Sequence, residues 1–191
     1  ARAVGKPGQQ PLGDLPAHIG SWALGVYRIH GRCTFYQHDA AFRNCAEARE
    51  RNETLCNRTI SAIIGDEEVC MRIAVISDTH DDLQALEHAL GILRAEGINV
   101  VLHCGDLCGP AIIEALSAFD TWIARGNMDR HPELAPTARE TIGPGRLADR
   151  HSLTLDDRSA VVVHGHRESE LRGIINSGRH AYVFHGHTHR R

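Results

Sequence analysis

RIAVISDTH, residues 72–80, is the stretch that decides the architecture of this chain. Its apolar run Ile73–Ile76 contains no Gly or Pro and stops abruptly on Ser77, Asp78, Thr79 and His80. A short unbroken apolar run of this kind reads as a strand buried on both faces, as in a parallel sheet. Downstream, Asp81–Gly97 carries Leu83, Leu86, Leu90 and Leu93 at spacings of three and four, which puts one apolar stripe on a helix, and Gly97 supplies a stop. Ile98–Leu102 reads as a second strand, Ala111–Ala118 as a short helix after Pro110, and Trp122–Ala124 as the core of a third strand. Ser152–Leu155 and Ala160–Val163 flank the turn residues Asp156 and Asp157 as a hairpin, Glu168–Asn176 reads as a helix, and Ala181–Phe184 as a last strand. This order predicts an α/β fold in which a mainly parallel sheet feeds a mixed one.

Upstream of Met71 the text changes character. Residues 1–70 hold four of the six cysteines (Cys33, Cys45, Cys56, Cys70) and show no sustained helix or strand period except a possible helix over Ala40–Asn52. Two sequons, at Asn52 and Asn57, stand beside those cysteines and would suit a disulfide-bearing extracellular module. The cysteine spacings match no zinc pattern, and the first twenty residues lack the apolar block of a secretion signal. The expectation is therefore an N-terminal extension over 1–70, poorly ordered or not native to the domain, followed by a domain over 71–191 whose natural start is Met71. A reducing cytoplasm is the expected compartment. Cys104, at the apolar end of a strand, reads as a small buried hydrophobe rather than as half of a zinc or redox pair with Cys108.

Composition narrows the function classes. The 191 residues are 42% hydrophobic and 24% charged, a globular balance, and no apolar run approaches the roughly 20 residues of a membrane span. The formal net charge is −3, and residues 71–191 carry 13 Arg and no Lys against 16 acidic residues. That balance argues against duplex nucleic acid as a partner. The imbalance to explain is histidine: there are 14, of which 11 follow Met71.

Almost every predicted strand ends in a polar cluster: Asp78-Thr79-His80, His103-Cys104-Gly105-Asp106, Arg125-Gly126-Asn127, His164-Gly165-His166, and His185-Gly186-His187-Thr188-His189. Singly, such clusters are ordinary turn formers. Together they matter, because the carboxyl ends of parallel strands converge on a common crevice. Asp and neutral His supply the mixed oxygen and nitrogen donors that suit Mn, Fe, Zn, Ni or Co. Asp78 and His80, at i and i+2, face one side if the strand end stays extended, and His187 and His189 repeat the spacing. Asp106 follows a Gly and has two carboxylate oxygens with which to bridge a pair of cations. Two divalent metal ions are thus expected, with a small phosphate ester as the substrate suited to them.

The series SDTH (77–80), GDLCG (105–109), GNMD (126–129), VHGH (163–166) and GHTH (186–189) resembles the calcineurin-like metallophosphoesterase superfamily, and within it the small single-domain bacterial and archaeal phosphodiesterases. The resemblance covers residues 71–191. It implies an α/β/β/α sandwich of mixed sheets and a metal-dependent phosphodiesterase that uses a bridging hydroxide for in-line attack on phosphorus. It also implies that strands closing the second sheet follow the GHTH motif, so the domain is expected to be truncated at Arg191. Asp78, His80 and His189 would hold the first metal, Asp106 would bridge, and Asn127, His164 and His187 would complete the second. His164 is preferred to His166 because it directly follows its strand, and His166 would face the substrate. Many relatives have His where Met128 stands, which leaves His166, Arg130 and His131 as the candidates for general acid. A second reading is a non-catalytic protein-binding scaffold similar to the retromer subunit of this fold. A third is a nuclease similar to the DNA-repair members.

Overall fold

The computed structural model describes residues 2–4, 23–30, 70–155 and 157–188. The helix expected over 40–52, Cys33, Cys45 and Cys56, the two sequons, Asp156 and the ligand candidate His189 lie outside the described residues.

Two sheets carry the fold. The first holds β1 (Arg2–Val4), β9 (Tyr182–His185), β8 (Arg158–Val163) and β7 (Arg150–Leu155) in that order, and the second holds β2 (Ala23–His30), β3 (Cys70–Ser77), β4 (Val100–His103), β5 (Asp120–Ala124) and β6 (Leu147–Ala148). From β3 to β6 all pairings are parallel, and β2 adds an antiparallel edge. In the smaller sheet β8 and β9 run parallel, between antiparallel partners β7 and β1. The helices are α1 (Leu83–Ala95), α2 (Pro110–Leu116), α3 (Leu134–Thr141) and α4 (Glu168–Asn176).

Strand alternation sorts the apolar residues into three layers of core. Ala74 and Ile76 of β3, Val101 of β4 and Ile123 of β5 pack against the buried faces of α1, α2 and α3. The intervening residues Ile73, Val75, Val100, Leu102, Trp122 and Ala124 face Leu153, Leu155, Ala160, Val162, Tyr182 and Phe184 across the inter-sheet space. Val161, Val163 and Val183 turn outward beneath Leu171, Ile174 and Ile175 of α4. This is the α/β/β/α sandwich. Cys104 is fully buried within the inter-sheet core, a structural role.

Several elements differ from the sequence expectation. Helix α3 had no apolar period to reveal it, since it buries only Leu134 and Ala138 and contains Pro136 in its first turn. Strand β6 is two residues long and exists through its pairing with β5. Within 1–70, a region read as lacking strands, the backbone of 2–4 and 23–30 adds an edge strand to each sheet. Edge pairing is made by main-chain groups, so it leaves little trace in side-chain alternation. The expected boundary at Met71 falls one residue inside β3. Helix α1 starts at Leu83 because the Asp82 side chain accepts the Ala85 N–H at 3.0 Å, and it ends where Gly97 takes φ +65°.

Among the described residues no helix is long and apolar enough to cross a membrane. Leu102 is fully buried between the sheets. Leu102→Ala is expected to lower unfolding stability by about 2–5 kcal/mol, read from urea denaturation.

Candidate metal centre

The carboxyl ends of β3, β4, β5, β8 and β9 meet where the two sheets face each other, and the loops that leave them are locked together by main-chain bonds. The Asp78 N–H donates to the Gly105 carbonyl (2.9 Å), His80 N–H to that of Asp106 (3.0 Å), and Asp81 N–H to that of Leu107 (2.9 Å). The Gly186 N–H donates to the His164 carbonyl at 3.0 Å, which joins the ends of β8 and β9.

Asp78 and His80 do converge with Asp106, but not by strand alternation. Asp78, His80, Asp106 and His187 all have positive φ, from 45° to 67°. The chain leaves each strand through a left-handed turn, a conformation that costs a non-glycine residue about 1–2 kcal/mol. The expectation of an extended strand end at 78–80 is therefore corrected: the side chains meet because the backbone turns, not because it alternates.

Two donor groups result. Asp78, His80 and Asp106 present ligand atoms within 4.8 Å of one another, and so do Asp106, His164 and His187. Asp106 belongs to both. Its Oδ1 accepts the Met128 N–H at 2.8 Å, and its Oδ2 lies 3.2 Å from His164 Nε2. Asn127 joins the second group through its Oδ1, 3.1 Å from the same nitrogen. Asp78 accepts from Ser77 Oγ (2.5 Å) and from the His187 N–H (3.1 and 3.2 Å).

His164 tests whether a cation fits. Its Nδ1 lies 2.7 Å from the Cys104 carbonyl, which can only accept, so the ring proton sits on Nδ1 and the Nε2 lone pair faces two oxygens. Three electron-pair donors turned on one another need a positive charge between them, a proton or a metal. Burial opposes a charged His164, but its hydrogen bonds to Asp106 and Cys104 and the carboxylates of Asp106 and Asp78 prevail and raise its pKa. Burial likewise works against the Asp106 charge, yet bonds from His164 and the Met128 N–H leave its carboxyl below the usual range. The donor set fits divalent metal ions with nitrogen and oxygen ligands.

Of the remaining candidates, His166 is half-buried with its ring 5.4 Å from that of His164 and 6.3 Å from that of His187, outside both donor groups. Burial lowers its pKa, and His164, Arg167 and His187 push the same way, so it is neutral near pH 7 and poorly suited to donate a proton. Arg130 is exposed, its Nε donating to the Asn127 carbonyl at 2.9 Å. His131 is exposed and its Nδ1 accepts the Glu133 N–H at 3.2 Å. Cys108 Sγ lies 3.5 Å from His80 Nδ1. Burial, then the carboxylates of Asp81, Asp129 and Asp106, push its thiol up to about 11.

Asp129 is the residue the motif contained and sequence reasoning left without a role. It is 2% exposed, and its carboxylate accepts four main-chain N–H groups: Asp106 (2.9 Å), Leu107 (2.7 Å), Cys108 (3.0 Å) and Gly126 (2.6 Å). The nest of successive amides at 106–108 closes around an internal anion. His103 is a second structural group. It is fully buried, its Nδ1 accepts the Gly105 N–H (3.1 Å) and its Nε2 donates to Thr79 Oγ1 (3.1 Å).

Residues 71–191 match the family described as the calcineurin-like phosphoesterase superfamily domain. The chain belongs to that superfamily. It is 32% identical over 124 residues to phosphodiesterase MJ0936 of Methanocaldococcus jannaschii, a match that covers 63% of this chain and 75% of the relative. It is also similar to the solved structure of an archaeal phosphodiesterase, with a TM-score of 0.55 and 32% identity over 62% of this chain and 74% of that one. The domain is thus a metal-dependent phosphoric ester hydrolase, with the donor groups above at the mouth of its sheets.

Two predictions follow from these contacts. Asp129→Asn keeps the shape but turns an NH2 group toward N–H donors, and is expected to cost about 3 kcal/mol by urea denaturation and to weaken Mn binding about 10–100-fold by calorimetry. Burial depresses the His103 pKa from 6.5 to about 4. The unfolded chain therefore takes up this proton first, so the contribution to stability is full above pH 6.5 and declines as the pH falls toward 4. The denaturation midpoint is expected to drop across that window, and less steeply in His103→Gln.

Proposed function

We propose that this chain is a phosphodiesterase of small phosphate esters, acting through a dinuclear metal site by in-line attack of a hydroxide on phosphorus. The observation that carries the reading is the sharing of Asp106 between two three-residue donor groups. Asp78, His80 and Asp106 would hold one ion, with His189 as the further ligand that the family pattern supplies. Asp106, Asn127, His164 and His187 would hold the other. When bound, two divalent ions supply Lewis acidity, acidifying the attacking water and drawing charge from the phosphoryl oxygens.

The chain's own residues set the geometry. The Met128 N–H anchors one oxygen of Asp106 and leaves the other facing His164, and the Cys104 carbonyl keeps the His164 Nε2 lone pair turned inward. His166, neutral beside them, orients a phosphoryl or ester oxygen by hydrogen bonding. Water adds to phosphorus, the opposite P–O bond breaks, and the products are a monoester and an alcohol. Diesters are favoured over monoesters because a relative 32% identical to this chain is itself named a phosphodiesterase.

Full-length protein with added Mn is expected to release p-nitrophenolate from bis-p-nitrophenyl phosphate and to stop when the metal is chelated. Asp106→Asn, which removes the shared carboxylate, is expected to lower kcat/KM about 100-fold or more. Stoichiometric metal binding with no turnover of any mono- or diester would instead support the scaffold reading.

A further inference from the structure

Resting on the phosphodiesterase reading, we propose that the cleft beside His164 and His166 receives one ester arm of the substrate and selects an organic arm that carries a second anionic group, a phosphate or a carboxylate, through Arg125. The cleft is shallow and open to solvent. Its inner wall is the His164-Gly165-His166 turn, so a phosphorus centre held at the His164 donor group has the cleft within reach of one substituent.

Three features of the lining describe that substituent. Val163, Leu171 and Ile174 give an apolar floor that suits a carbon skeleton. Two acids, Asp149 and Glu170, also line the cleft, but both lie against Arg167, at 3.9 and 3.7 Å. Arg125 is the cation left over. It follows β5, directly precedes the Gly126-Asn127 turn, and is half-buried, and its guanidinium makes no hydrogen bond or ion pair among the described residues. A partly desolvated guanidinium without a counter-ion favours an incoming anion, and its planar fork matches phosphate and carboxylate. His166 adds a buried Nδ1 with no hydrogen-bond partner on the same lining. An apolar surface with a few convergent polar groups is the usual form of a small-molecule site.

The test compares kcat/KM of the Mn-loaded full chain for thymidylyl-thymidine and for the same dinucleotide bearing a 5′-phosphate. Wild type is expected to prefer the phosphorylated form by about ten-fold or more, Arg125→Gln to bring the ratio near one, and Arg125→Lys to restore part of it. No preference in wild type, or a preference that survives Arg125→Gln, overturns the proposal. So does an equal loss on both substrates, which would place Arg125 on the scissile phosphate instead. Failure of the phosphodiesterase reading is separately visible as no turnover of bis-p-nitrophenyl phosphate. The cleft is then decided by calorimetric binding of adenosine 3′,5′-bisphosphate against adenosine 5′-monophosphate: tighter binding of the bisphosphate, lost in Arg125→Gln, supports it, and equal affinities overturn it.

Discussion

The carboxylate of Asp129 is the contact on which the centre depends. It draws the amides of 106–108 from the end of β4 and the amide of Gly126 from the end of β5 onto one buried anion. Those two loops carry Asp106, which belongs to both donor groups, and Asn127 beside it. The loop at 78–81 is then fastened to the same segment by three further main-chain bonds. One internal charge thus fixes the backbone of three strand ends. It does so at the positions where left-handed φ angles at Asp78, His80, Asp106 and Cys108 would otherwise open the turns.

Close approach is the second constraint, and it explains the glycines of the motifs. A Cβ on Gly126 would collide with the Asp106 carboxylate and amide. One on Gly105, where φ is +90°, would come within 2.7 Å of the Ala124 carbonyl and the Gly126 amide. Both positions are set where one loop passes over the backbone of another. The two sheets contribute unequally: β3, β4 and β5 bring Asp78, Asp106 and Asn127, while β8 and β9 of the other sheet bring His164 and His187. Oxygen donors therefore come chiefly from one sheet and nitrogen donors from the other. The inter-sheet core that includes Leu102, Trp122, Val162 and Phe184 sets the distance between them. The buried His151 ties the layers further, with its Nε2–H on the Ile123 carbonyl at 2.8 Å and its ring edge-on to Trp122.

The sequence made the sandwich legible wherever burial on both faces wrote an unbroken apolar run, as in β3, β4 and β8, and wherever a stripe marked a helix, as in α1. It was silent where structure is made by main-chain pairing or by context: the edge strands at 2–4 and 23–30, the two-residue β6, and α3 with its Pro136. The site residues were legible because polar clusters followed the strands, and Asp78, His80, Asp106, Asn127, His164 and His187 do come together. The manner of their meeting was not legible, because a positive φ is uncommon even at Asp or His, so the residue type alone does not announce the left-handed turn. Asp129 was hidden for a related reason. An acid beside Gly and Asn reads as a turn former, and only the fold reveals that four amides point at it.

Histidine abundance alone could not separate candidate ligands from scaffold; the partners of each ring nitrogen distinguish them. His103 is as buried as His164 and stands three residues before Asp106, yet both of its nitrogens are engaged within the protein, by Gly105 and Thr79, and burial holds it neutral. It has no lone pair to offer. His151 is committed through Nε2 to the Ile123 carbonyl, and burial lowers its pKa as well. His164 differs in one respect. A carbonyl takes its Nδ1 proton, and the opposite nitrogen meets only oxygens that carry lone pairs. That leaves a site at which a cation relieves repulsion instead of creating it. A buried histidine whose outer nitrogen donates to a carbonyl while the inner one faces a carboxylate is oriented for a metal, whereas one with both nitrogens satisfied serves the fold.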